Sequence, residues 1–176
     1  MHEALIDGRF EEASELIEKQ SEAQLVECFE GKDGYRKSCL HVIAALSDRD
    51  LATKQCSQLL QKIKNALNRE YLLNSTTVEE IGRPEIHARV AAIHIAIRSG
   101  NTGVVRLLCQ YGVDVNCNTV ENTEEKPADG VTPLLLAVLE EHVEIVKLLL
   151  DHHADVNAGC SDDGATALHL AAQQDT

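Results

Sequence analysis

Eight histidines, six cysteines and 29 aspartates and glutamates are the side chains with which this 176-residue chain could do acid–base, nucleophilic or metal chemistry. Three of the histidines return in one phrase: Leu40-His41-Val42, Ile93-His94-Ile95 and Leu168-His169-Leu170. A histidine that recurs at one place in a repeated phrase points to a duty within the repeat, because an active site needs one set of groups converging in one pocket. His152 and His153 precede Cys160, but no further ligand lies at zinc spacing. Ending an apolar helical run, they are placed to complement its negative C-terminal end. Cys28, Cys39, Cys56, Cys109, Cys117 and Cys160 form no Cys-x-x-Cys pair. Such scattered thiols read as small buried hydrophobes in a reducing compartment. Asp162-Asp163, before Gly164, lacks calcium-loop spacing, and none of the ten glycines belongs to a phosphate-binding pattern. The sequence predicts no catalytic residue, no metal site and no cofactor; the chain is expected not to be an enzyme.

The elements that carry these residues must be built on aliphatic side chains. Hydrophobic residues make up 44% of the chain, but aromatics only 3%, and Trp is absent. A core of Leu, Ile, Val and Ala suits tightly stacked helices. The formal net charge of −13 repels phosphate backbones, so no direct nucleic-acid contact is expected. That charge favours a partner with a basic surface, or serves solubility alone. The start Met1-His2-Glu3-Ala4 lacks a signal-peptide profile, and no apolar run is long enough to span a membrane. Asn74-Ser75-Thr76 is a formal glycosylation sequon, silent in the intracellular setting (cytoplasmic or nuclear) that the thiols favour.

The chain repeats itself. Gly130-Val131-Thr132-Pro133-Leu134-Leu135-Leu136-Ala137 aligns with Gly164-Ala165-Thr166-Ala167-Leu168-His169-Leu170-Ala171, 34 residues later. Ala91-Ala92-Ile93-His94-Ile95-Ala96 and Ser38-Cys39-Leu40-His41-Val42-Ile43-Ala44 fit the same frame. Second apolar-periodic runs follow, Val104-Val105-Arg106-Leu107-Leu108 and Ile145-Val146-Lys147-Leu148-Leu149. They close on Gly112-Val113-Asp114-Val115-Asn116 and Ala154-Asp155-Val156-Asn157. Apolar residues at i, i+3 and i+4 predict helices that bury one face. Pro133 sits where a first helical turn loses nothing by its missing N–H.

These phrases resemble the ankyrin repeat, most clearly over residues 89–172. The resemblance implies an all-α ankyrin-repeat solenoid of stacked helix-turn-helix units with hairpin or finger loops. It also implies threonine and histidine side chains that tie helix starts to neighbouring backbone. A repeat cannot bury its faces alone, so neighbours stabilise one another. The family binds another protein or peptide on a concave face lined by finger tips and the exposed side of the first helices. Carried over, that face comprises Arg89, Val90, Arg98 and Ser99, then Ala128, Asp129, Val131, Leu139 and Glu140. It ends at Asp162, Asp163 and Ala165, with Gln173 and Gln174 beside them. Leu139, apolar at a solvent-facing place, either packs under the next repeat or anchors a partner.

The leucine position recurs at Leu40, Ile93, Leu134 and Leu168, giving intervals of 53, 41 and 34 residues, against a family period of about 33. Two intervals therefore carry insertions. Leu51–Leu73 is expected to form one extended second helix with Leu59, Leu60, Ile63 and Leu67 on one side. A loop through Thr76, Glu79, Gly82 and Pro84 follows, so that 74–88 replaces the usual short hairpin. The acidic stretch 117–129 lengthens the next finger, as a contact element or as a free loop. The single domain 1–176 divides into a capping repeat 1–33, an irregular repeat 34–86, a repeat with an extended finger 87–126, a near-consensus repeat 127–160 and a half-repeat 161–176. The missing second helix of that half-repeat suggests a fragment of a longer regulatory or scaffold protein. Two further likenesses name more specific roles. One is to IκB-like inhibitors of Rel-type transcription factors, through the insertion after the second repeat. The other is to the cytoplasmic ankyrin domain of vanilloid-type ion channels, through Lys37-Ser38-Cys39-Leu40 and Leu73-Asn74-Ser75. Oligomeric state is not read from the sequence.

Overall fold

The structure, a computed structural model, describes residues 1–27, 29–30, 36–80, 87–122, 127–160 and 164–174. The chain runs through α1 (His2–Ile6), α2 (Phe10–Lys19), α3 (Glu22–Val26), β1 (Phe29–Glu30), β2 (Arg36–Lys37), α4 (Cys39–Ala44), α5 (Arg49–Lys62) and α6 (Ala66–Asn74). It continues as β3 (Thr76–Glu80), β4 (His87–Ala91), α7 (Ala92–Arg98), α8 (Thr102–Gln110), β5 (Val120–Asn122), β6 (Pro127–Asp129), α9 (Pro133–Leu139), α10 (Val143–Asp151) and α11 (Ala167–Gln174). First helices α1, α4, α7, α9 and α11 pack in one row, each on the next. Second helices α2, α5, α8 and α10 form a parallel row behind them. This is the expected all-α solenoid.

The rows exist because the repeated phrase buries its apolar stripe from both sides. Leu40, Ile43, Ile93 and Ile97 of the first row, and Leu59, Leu60, Val104, Leu108 and Leu149 of the second, are fully buried. Each such side chain contributes about 1.5–3 kcal/mol against exposure. Contact between the rows' neighbours is close. A Cβ added to Gly103 would run into the Thr53 side chain, so glycine is what lets α8 approach α5. Helix starts are fixed by side chains that accept the orphan N–H groups. Asp48 accepts from Leu51, Asn101 from Val104, and Thr132 from Leu135 with Pro133 at the first helical position.

Two sequence expectations are corrected in the second repeat. Residues 51–73 do not form one helix: the chain breaks after Lys62 and restarts at Ala66. The cause is Asn65, whose side chain takes the N–H groups of Leu67 and Asn68 at 2.9 and 3.3 Å and so starts a new helix. Leu67, expected on the buried side, is instead 76% exposed. The segment after it is not a loop throughout. Strand β3 pairs antiparallel with β4 from Thr76↔Ala91 to Glu80↔His87; Gly82 and Pro84 lie outside the described residues. The second insertion folds as the β5–β6 hairpin, with Val120↔Asp129 and Asn122↔Pro127. Arg89↔Val120 pairing then joins the two fingers into one four-stranded sheet, in the order β3-β4-β5-β6.

At the N-terminus α1, α2 and the turn between them expose Glu3, Asp7, Glu11, Glu15 and Glu18, while Ala13 and Ile17 are buried. Ser21 and Gln24 form a reciprocal capping box that starts α3.

Candidate partner-binding face

Histidine and asparagine side chains recur at the junctions between successive units. His41 Nδ1 accepts the Ser38 N–H at 3.2 Å and lies 2.6 Å from Ser38 Oγ. Its Nε2 is buried and faces the Ser75 and Val90 carbonyls at the base of the next finger. His94 repeats the arrangement one unit on, with Nδ1 accepting from Ala91 at 3.3 Å and the ring facing the Val131 and Cys117 carbonyls. Burial drives both imidazoles down from 6.5 to about 4, and those carbonyls only partly oppose it. Both are neutral at pH 7. In the last unit, exposed His169 accepts the Thr166 N–H at 3.2 Å. A second ladder runs behind: Asn74 Oδ1 accepts the Asp114 N–H at 3.3 Å, and Asn116 Oδ1 accepts the Asp155 N–H at 2.8 Å. Asn74 therefore does in the irregular repeat what Asn116 does in the next.

Of the six cysteines, Cys28 lies outside the described residues. Cys39, Cys56 and Cys109 are buried, while Cys117 and Cys160 are half-buried. Burial pushes Cys56 and Cys117 up to about 12 and Cys109 up to about 11. They remain protonated and poorly nucleophilic. Among the described residues no group of three metal-ligating side chains comes together.

The carried-over face divides. Arg98 and Leu139 are exposed at the ends of the successive first helices α7 and α9, which pack together. Glu140 and Gln173 are exposed beside them, and Ser99 is half-buried. Gln174 donates to the Val138 and Leu139 carbonyls at 3.2 and 3.3 Å. The next helix thus holds Leu139's backbone, while 44% of the residue stays exposed. Arg89 is exposed on β4, but Val90 is 2% exposed and part of the core, so it leaves the candidate surface. Val131 is half-buried and tied through its N–H to Thr119 Oγ1 at 2.8 Å. The backbone of Ala128 and Asp129 is held in β6. Ala165 is half-buried, its carbonyl accepting the Cys160 N–H at 3.0 Å. Asp162 and Asp163 lie outside the described residues. Leu67 and Tyr71, 76% and 57% exposed on α6, are surface features that the helical pattern hid; Lys64-Asn65 was the signal for them, as a cap inside an apolar run.

A stack of helix pairs with recurrent histidines at the helix starts and paired fingers between units defines a class of repeat solenoids, and the comparisons agree. A family model described as ankyrin repeats (3 copies) matches residues 52–158 and 118–176. The chain belongs to the ankyrin-repeat family. It is 30% identical over 173 residues, 98% of its length, to the nuclear factor NF-kappa-B p105 subunit of Gallus gallus. It is 37% identical over 50% of its length to the ankyrin repeat and SOCS box protein 16 of Homo sapiens. It is also 34% identical over 47% of its length to a B-cell lymphoma 3 protein homolog of Mus musculus. The chain spans between 14% and 18% of the length of these relatives. No helix among the described residues is long and apolar enough to cross a membrane.

Proposed function

We propose that this chain is a non-catalytic interaction module that holds a partner protein or peptide on the row formed by Arg98, Leu139 and the neighbouring finger bases, inside the cell. The observation that carries this reading is Leu139: an apolar side chain kept 44% exposed at the end of a rigid helix. A preordered row loses little entropy on binding, which leaves more of the contact energy as affinity. The net charge of −13 favours a basic surface on that partner. Among more specific roles, an IκB-like regulator of a transcription factor is supported over a channel domain by the alignment to NF-kappa-B p105 across 98% of the chain.

The test is capture of binding proteins by the immobilised chain, with Arg98→Glu and Leu139→Asp run beside it. Both residues are exposed, so the variants keep the fold. Each is expected to weaken a specific capture about tenfold or more. Capture by both variants equal to that of the parent chain would remove this face from consideration. Rising salt should weaken binding to a basic partner.

A further inference from the structure

A second surface lies away from that row, where the irregular repeat departs from its neighbours. Helix α6 leads to the finger in this repeat, whereas α8 and α10 run directly into their closing turns. It is held at its start, at Arg69 and at its end. The Glu22 carboxylate accepts the Lys64 and Asn65 N–H groups at 3.0 and 3.1 Å. Arg69 donates to the Ile63 carbonyl at 2.9 Å and lies 5.4 Å from the Tyr111 ring centroid. Asn74 holds Asp114. A helix fixed in this way nonetheless turns Leu67 and Tyr71, one turn apart, into solvent at 76% and 57% exposure.

Between α6 and the strands runs an open groove of about 650 Å³, lined by Arg36, Leu67, Glu70, Tyr71 and the start of β3 at Thr76. Thr76 is exposed and lines the groove, whereas Thr77 is buried on the other face of the sheet. Ala91 pairs with Thr76, and Arg89, exposed two residues before it on β4, shares that face. Arg36 thus lines the groove on the strand side, Arg89 stands farther along the same face of the sheet, and Glu70 stands on the helix side. The charge of the chain is segregated in the same sense. Residues 34–100 hold ten lysines and arginines against six acids, whereas 1–33 hold three against ten and 101–176 three against thirteen. The cationic segment is short and flanked by acidic ones, so a long polyanion such as a nucleic acid would run onto repelling ground at both ends.

We infer that the α6 groove is a docking site for a short acidic segment of a partner protein, with an apolar side chain seated on Leu67 and Tyr71 and carboxylates meeting Arg36 and Arg89. Glu70 sets the orientation by repelling acid from the helix side. The site is independent of the Arg98–Leu139 row, and the two readings can fail separately.

The experiment selects short randomised peptides against the whole chain, then measures a selected sequence by fluorescence anisotropy. Selected peptides are expected to combine acidic residues with an aromatic or aliphatic one. Leu67→Ser, Tyr71→Ser, Arg36→Glu and Arg89→Glu should each weaken binding about tenfold or more, with circular dichroism unchanged because all four residues are exposed. Leu139→Asp and Arg98→Glu should leave it intact. Failure to select any acidic peptide that the groove variants weaken would overturn the inference, whatever peptides the Arg98–Leu139 row takes. So would loss of binding through Leu139→Asp alone, or equal binding by a single-stranded oligonucleotide of the same charge.

Discussion

A buried histidine that stays neutral can act as a fixed strut, and this sets a pH window for the fold. His41 and His94 titrate near 6.5 when exposed and near 4 when folded, chiefly through loss of hydration. Between those values the unfolded chain binds protons that the folded chain refuses. Stability is therefore complete above pH 6.5 and lost as pH falls toward 4. By pH 5 each histidine has cost about 2 kcal/mol by this linkage. Urea unfolding at pH 7.5 and pH 5.0 checks this: the stability should drop, and His94→Gln should roughly halve the pH-dependent part. An unchanged drop in that variant would mean that carboxylates, not the ring, set the dependence. The structural duty of these rings was legible in sequence, because recurrence at Leu40-His41, Ile93-His94 and Leu168-His169 marks a repeat position. The finger carbonyls that these rings face were not, since they lie across a gap of variable length.

At the scale of elements, legibility followed periodicity. Helices α7 to α10 were readable because their apolar spacing and closing turns recur. The α5–α6 break was missed because Leu59, Leu60, Ile63 and Leu67 continue a helical stripe across it. One cap residue, Asn65, outweighs that stripe by offering its side chain to two N–H groups. The finger strands were missed for a different reason. The β4–β5 pairing joins segments about one repeat apart, and only stacking brings them together. Asn65→Ala tests the first account. Loss of the cap should cost about 1 kcal/mol, and hydrogen exchange should quicken in α6 while α8, capped by Asn101, keeps its protection. Equal protection in both helices would show that the Glu22 carboxylate suffices to start α6.

The whole molecule poses a competition between two kinds of coupling. Stacked helix pairs touch only their neighbours, so stability is a sum of repeat terms and interfaces along one dimension. The sheet β3-β4-β5-β6 adds a strap across the middle of the array. Ile97 is the place to weigh them. It is fully buried on α7, which packs on both α4 and α9. Ile97→Ala should cost about 2–5 kcal/mol through the cavity it leaves, and it weakens the link between the two halves. If helix stacking dominates, urea unfolding should split into two steps, each exposing less surface and so showing a smaller slope. The matching truncation near one end, Ile17→Ala, removes a side chain equally buried in α2 but should leave the main transition undivided. A single transition of unchanged slope for Ile97→Ala would mean that the finger sheet binds the middle repeats into one cooperative block. The insertions would then hold the array together as well as shape its surface.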